Sequence, residues 1–321
     1  MSSTRAPLTG VLAAIIAASL FGTLGPLARF GADAGVGGVA FTAWRACLGV
    51  AFLGVLIASR GAAGASLAAA RELSRRGRAS LAVASLMGVI LNVSIFSAFG
   101  LIPIALALML FYLYPAGVVA TDLLLGRERM SPVRLVALLL SFGGVVLVLA
   151  AGMDGASGAP LNLLGIALGL TAAASQVVFM TVSRGGYSSV SADAATFVIL
   201  ATATVGASLI AVLAGQGEDL LVPLRNPGPW PVIVVAGVAA AGVSSLLFLT
   251  AIRAIGGTRT GVLMLLEPVV GVLLAAALLG EALLPLQVLG GFLVLVGALV
   301  LQVRSAPELE PIAETHAGPV V

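Results

Sequence analysis

The stretch LEPVVGVLLAAALLGEALLP, residues 266–285, decides the fold when it is set against LYPAGVVATDLLLGRERMSP, residues 113–132. Pro115, Glu128 and Pro132 of the earlier stretch recur as Pro268, Glu281 and Pro285 of the later one, and Gly144 recurs as Gly297. Each pair is 153 positions apart, with no gap. In a chain rich in Ala, Leu, Gly and Val, one such coincidence carries little. Four at one spacing, at equivalent places in the hydropathy pattern, describe a duplicated unit of the kind membrane carriers use.

Apolar residues make up 60% of the 321-residue chain and charged residues 9%; the mean hydropathy is +1.18. Soluble domains carry roughly 25% charge. A bilayer core about 30 Å thick takes about 20 helical residues to cross. The sequence predicts ten such spans, at 8–28, 36–58, 80–100, 104–125, 133–151, 161–183, 192–214, 231–252, 258–279 and 285–303. Their continuous apolarity favours helices, since strands of a barrel alternate with period two and are half as long. Arg5 before an apolar run and the small residues Ala17-Ala18-Ser19 imitate a signal peptide. The run continues to Leu27, however, and is read as the first span.

The expected fold is an all-α integral membrane protein of ten transmembrane helices, arranged as two inverted five-helix repeats. The repeats are 1–152 and 153–304, with a disordered cytoplasmic tail at 305–321. Five is odd, so successive halves enter the membrane in opposite directions. Arginine placement agrees. With a cytoplasmic N-terminus, Arg5, Arg60, Arg71, Arg75, Arg76, Arg78, Arg127, Arg129, Arg134, Arg184, Arg253, Arg259 and Arg304 fall inside, and only Arg29 and Arg225 outside. That bias puts both termini in the cytoplasm. Residues 59–79 read as an Arg-rich cytoplasmic loop with a short interfacial helix, and 215–230 as an external loop.

The chain has no Lys, one Cys (Cys47) and one His (His316). A Walker lysine, a Schiff-base lysine, an intrachain disulfide and an ordinary zinc site are therefore excluded. No cofactor, metal or nucleic acid is expected. The basic balance sets membrane orientation.

Leu266-Glu267-Pro268-Val269-Val270, then Leu279-Gly280-Glu281, Pro285 and a last span with Gly290, Gly291 and Gly297, resemble the closing segment of the EamA family of the drug/metabolite transporter superfamily. Pro115, Gly126-Arg127-Glu128 and Gly143-Gly144 look like the matching segment of the first repeat, with Arg127 interrupting a second Leu-Gly-Glu. Arg45 is similar to the family's second-span arginine. The resemblance implies a ten-helix carrier of the inner membrane, many relatives of which export amino acids or related metabolites.

Arg45 and Glu267 are the only charges near the centre of any expected span. A charge at the bilayer midplane costs about 2.5–3.5 kcal/mol on insertion scales, so such residues face a polar cavity or a partner. Arg45 suits a substrate carboxylate, or else a structural bond to Glu267 or to helix carbonyls. Glu267 suits an amino group or a coupling proton. Both are expected to face the cavity between the halves. Pro268 should free the carbonyl of Met264, and Pro115 and Pro268 should kink their helices. Asn92, Tyr112, Tyr114 and Gln176 are the larger polar groups within spans, and Trp44 and Ser245 join them as candidates for the substrate pathway. Ser94, Thr181, Ser244 and Thr250 are read as helix-bonding groups. Gly165 with Gly169, and Ala13 with Ala17, should mark close helix packing. Glu128 and Glu281, at span ends, are read as structural, by capping or by pairing with a loop arginine.

The leading functional reading is a secondary transporter that exports amino acids or similar small polar metabolites by alternating access, with protons as a candidate coupling ion and lipid as its surroundings. A non-transporting scaffold or sensor, and an intramembrane enzyme, are the alternatives. For the enzyme the residues are missing, since Asp122 and Asp193 lie at span ends and His316 in the tail.

Overall fold

The structure is a computed structural model that describes residues 8–61, 73–126, 131–153, 162–183, 187, 190–255, 260 and 263–304. Glu128, most of the 59–79 loop and the 305–321 tail lie outside the described residues. The described chain is helical, with no strand among its residues. In order the helices are α1 (Leu8–Gly22), α2 (Leu24–Asp33), α3 (Gly38–Ser59), α4 (Arg75–Leu101), α5 (Ile104–Phe111), α6 (Tyr114–Leu124), α7 (Pro132–Met153), α8 (Leu163–Ser183), α9 (Ala192–Leu213), α10 (Gly217–Arg225), α11 (Trp230–Val234), a π-helix (Val235–Val243), α12 (Ser244–Ile255), α13 (Leu266–Leu279) and α14 (Pro285–Arg304).

Seven helical segments among the described residues are long and apolar enough to cross a membrane. They begin at Leu8, Gly38, Arg75, Ile104, Leu163, Asp193 and Trp230. Three shorter apolar helices, Leu135–Leu147, Leu266–Leu279 and Pro285–Val300, fall where the fifth, ninth and tenth spans are expected. α7 and α14 themselves run to 22 and 20 residues.

Proline explains where the helices part. α1 and α2 separate at Thr23, three residues before Pro26, and the run continues to Asp33 instead of ending at 28. α5 and α6 separate at Tyr112-Leu113, before Pro115. α13 begins after a turn at Leu265, before Pro268. A proline lacks the amide hydrogen that the carbonyl four residues back requires, so the ladder opens there. The breaks at 112 and 265 stand at equivalent positions of the two halves.

The halves interleave. α7 packs along its counterpart α14, and α3 along its counterpart α9. α4 packs on α8 just as α12 packs on α1, so third-on-first contacts occur twice, once in each direction. The recurring glycines serve one of these seams. A Cβ on Gly297 would come within 2.6 Å of the Ala137 carbonyl, and one on Gly144 within 2.9 Å of a Val294 methyl. Each glycine lets α7 and α14 touch. Gly165 and Gly169 likewise bring α8 against Ile102 and Leu110, as their spacing predicts.

Two elements depart from expectation. The 215–230 segment contains the amphipathic helix α10, with Glu218 and Asp219 in its first turn and Arg225 in its last. The eighth span holds a nine-residue π-helix built of Val, Ala and Gly alone. Its Gly237 and Gly242 lie against Leu48 and Phe52 of α3, where a Cβ would approach to 2.5 Å.

Candidate functional site

Arg45 lies in α3 and is only 4% exposed. Its Nη2 donates to the Asn92 side-chain oxygen at 2.5 Å. The Asn92 amide nitrogen in turn donates to the Gly88 carbonyl at 2.7 Å, which fixes which end of the amide faces the arginine. The guanidinium carbon stands 4.7 Å from the centre of the Phe96 ring. Asn92 and Phe96 are four residues apart on α4 and so share a face. Thr42, one turn before Arg45, bonds the Gly38 and Asn92 carbonyls and ties α3 to α4. Arg45 Nε is buried without a hydrogen-bond partner.

Glu267 sits at the start of α13, half-buried. The Tyr112 hydroxyl and the Tyr114 ring lie close enough to its carboxylate to feel its charge. Tyr112 is 3% exposed. Its hydroxyl also lies 3.4 Å from the Met264 carbonyl, the one that Pro268 frees. The freed carbonyl therefore has a partner, and that partner comes from the other half of the chain. Phe111, Tyr112 and Tyr114 form a ring cluster with centres 5.3–5.7 Å apart. An apolar groove of about 250 Å³ between α5, α13 and α14 reaches Tyr112 and Pro268.

The two charges therefore have separate settings. No ion pair joins Arg45 to Glu267 among the described residues, and the structure gives Arg45 an amide and a ring in place of a carboxylate. Direct pairing, one of the alternatives for Arg45, is not seen among the described residues. Trp44 belongs to neither setting. Its indole donates to the Leu220 carbonyl of α10 at 3.0 Å and stacks edge-on with Trp230 at 5.3 Å. Gln176 and Ser245 are half-buried and make no hydrogen bond among the described residues. Thr181, Ser244 and Thr250 bond carbonyls one turn back in their own helices.

Glu281 meets a helix start and an arginine. Both carboxylate oxygens accept from the Ile104 amide at 3.0 Å, and Arg29 lies 3.7 Å away. Ile104 is the first residue of α5, whose N-cap is Pro103 and offers no side-chain oxygen. A carboxylate there satisfies an orphan amide and complements the helix dipole.

Sequence reading missed Phe96 and the pairing of Arg45 with Asn92. The signal was present in the four-residue spacing of Asn92 and Phe96, but nothing in the sequence said that this face meets α3.

Apolar helices packed around a buried arginine and a half-buried glutamate describe a multi-pass membrane protein. The EamA-like transporter family model matches residues 8–150 and again 163–303, and the chain belongs to that family. A protein of known crystal structure, described by no function, shares the fold with a TM-score of 0.60 at 23% identity, over 91% of this chain and 96% of that one. No curated protein matches the chain.

Proposed function

We propose that the chain is a secondary transporter that exports amino acids or similar small polar metabolites across the inner membrane, by alternating access between two inverted five-helix halves. One observation carries this reading. The Glu267 setting is assembled from both halves, with Tyr112 and Tyr114 supplied by the first and Glu267 and Met264 by the second. Any rocking of one half against the other must rebuild it, and this is what a carrier requires of its central site. Glu267 has no cationic partner among the described residues, which leaves its carboxylate free for a proton or an ammonium group. Arg45 supplies the opposite pole. The arginine bias supports cytoplasmic termini.

Counterflow of labelled amino acids in proteoliposomes tests the reading. Uptake driven by solute loaded inside is expected in the native protein and lost in Arg45→Gln. Glu267→Gln is expected to keep exchange of bound solute while losing accumulation driven by a pH gradient. Absence of flux for every amino acid and related metabolite tried would favour a scaffold and sink the proposal.

A further inference from the structure

We propose that the Arg45–Asn92–Phe96 cluster is a subsite for a single carboxylate group of the transported solute, gripped through Arg45 Nε. It rests on the transport reading, because a solute reaches this depth only along a translocation path.

A guanidinium carries a full charge and five N–H donors in a planar fork, and is never neutral in proteins. Here it is 4% exposed, and a neutral amide oxygen and an aromatic face answer it. Neither cancels the charge. Nε is buried with no acceptor. A structural arginine at this depth would be expected to spend its donors on carboxylates or carbonyls. This one is instead positioned. Asn92 holds one Nη, its own orientation is locked by Gly88, and the Phe96 ring occupies one face of the plane. What remains unpaired is the edge that carries Nε, and a planar two-oxygen anion supplies the acceptor that this edge lacks.

The charge sets the class. The chain has no Lys. Among the other described arginines, Arg60, Arg75, Arg76, Arg78 and Arg225 lie at helix ends, and Arg29 is paired with Glu281. One buried positive charge balances a monoanion, so a carboxylate is favoured over a phosphate dianion. The neighbouring wall is unusual too. The π-helix lies directly on α3, and a Cβ at its Gly237 would stand 3.1 Å from the Arg45 carbonyl. Such π segments interrupt helices frequently at functional sites.

The test is thermal stabilisation of the purified full-length protein by four probes, alanine, propionate, alaninamide and propionamide, with inorganic phosphate as a fifth. The two carboxylates are expected to raise the melting midpoint and the two amides to leave it unchanged. Phosphate should do no better than propionate. Arg45→Lys, which keeps the charge but lacks the fork, should bind the carboxylates at least tenfold more weakly, and Arg45→Gln should not respond. If Arg45→Gln fails to fold, the carboxylate–amide contrast in the native protein and the Arg45→Lys comparison still decide. Equal stabilisation by amides, no response to either carboxylate, a stronger response to phosphate, or native-like binding by Arg45→Lys would each overturn the subsite. Counterflow separates the two ideas. Carboxylate binding through Arg45 with no flux would refute transport and leave a carboxylate-binding site without a transported solute. Flux without carboxylate preference would do the reverse.

Discussion

The two halves keep the same scaffold and differ in their chemistry. Gly144 and Gly297 make the same close crossing from opposite sides of the α7–α14 seam. Pro115 and Pro268 follow helix breaks at equivalent places. The polar positions do not match in this way. Shifted by 153 residues, Arg45 corresponds to Val198, Asn92 to Ser245, Phe96 to Leu249 and Tyr114 to Glu267. The arginine lies in the first half and the glutamate in the second, although first-half tyrosines stand beside the glutamate. The third spans diverge as well, since α4 is an unbroken helix of 27 residues while its counterpart runs through a π-helix. In the proposed alternating access the symmetric frame would present one cavity to either side, and the asymmetric lining would meet the two ends of one solute.

The sharpest way to break this contrast is to make the halves chemically alike. Glu267→Tyr gives the second half the residue of the first, and solute exchange in proteoliposomes should fall by at least about 100-fold, the order that the loss of a buried charge-assisted contact of roughly 3 kcal/mol implies. Retained exchange would show that the asymmetry is incidental. Next in size, Gly144→Val and Gly297→Val should each destabilise the protein by about 1–3 kcal/mol through overpacking. Thermal unfolding in detergent should show two similar losses. A large loss at one glycine and none at the other would deny the shared frame.

Glu281→Ala should cost about 0.5–2 kcal/mol, the usual worth of a helix cap, and hydrogen exchange should quicken at the start of α5 before it does elsewhere. Tyr112→Phe removes the hydroxyl that meets the Met264 carbonyl beside Glu267, and a stability loss of about 0.5–1.5 kcal/mol is expected. Arg60→Ala should change least, below about 1 kcal/mol, because its pair with Asp193 at 3.5 Å is partly exposed.

Much of the frame was legible because it rests on residues that leave little choice. A proline must open the ladder, and a glycine recurring at a fixed offset marks a close approach. The break at Thr23 was missed although Pro26 announces it, since hydropathy runs through Gly22 and Gly25 without a dip. The π-helix was not legible at all. A run of Ala, Gly and Val has no contrast between faces, so an extra residue per turn leaves no trace in its pattern. At the site, the charges were visible and their partners were not. Arg45 and Asn92 are 47 residues apart, and Ile104 and Glu281 are 177 apart. Such pairings are set by which helix faces meet, and that is a property of packing. The role of Trp44 was open for the same reason, since its partner is a carbonyl of α10 in what read as a plain loop.

The cap on α5 has a mechanical consequence. α5 has eight residues, and at about 1.5 Å per residue it is a rod roughly 12 Å long. Glu281 grips one end through the Ile104 amide, and Tyr112, just past the other end, meets the Met264 carbonyl beside Glu267. Both attachments are to the second half, although the rod belongs to the first. Both ends of this short first-half helix are therefore held by the second half, so it is fixed at its two ends rather than along its length.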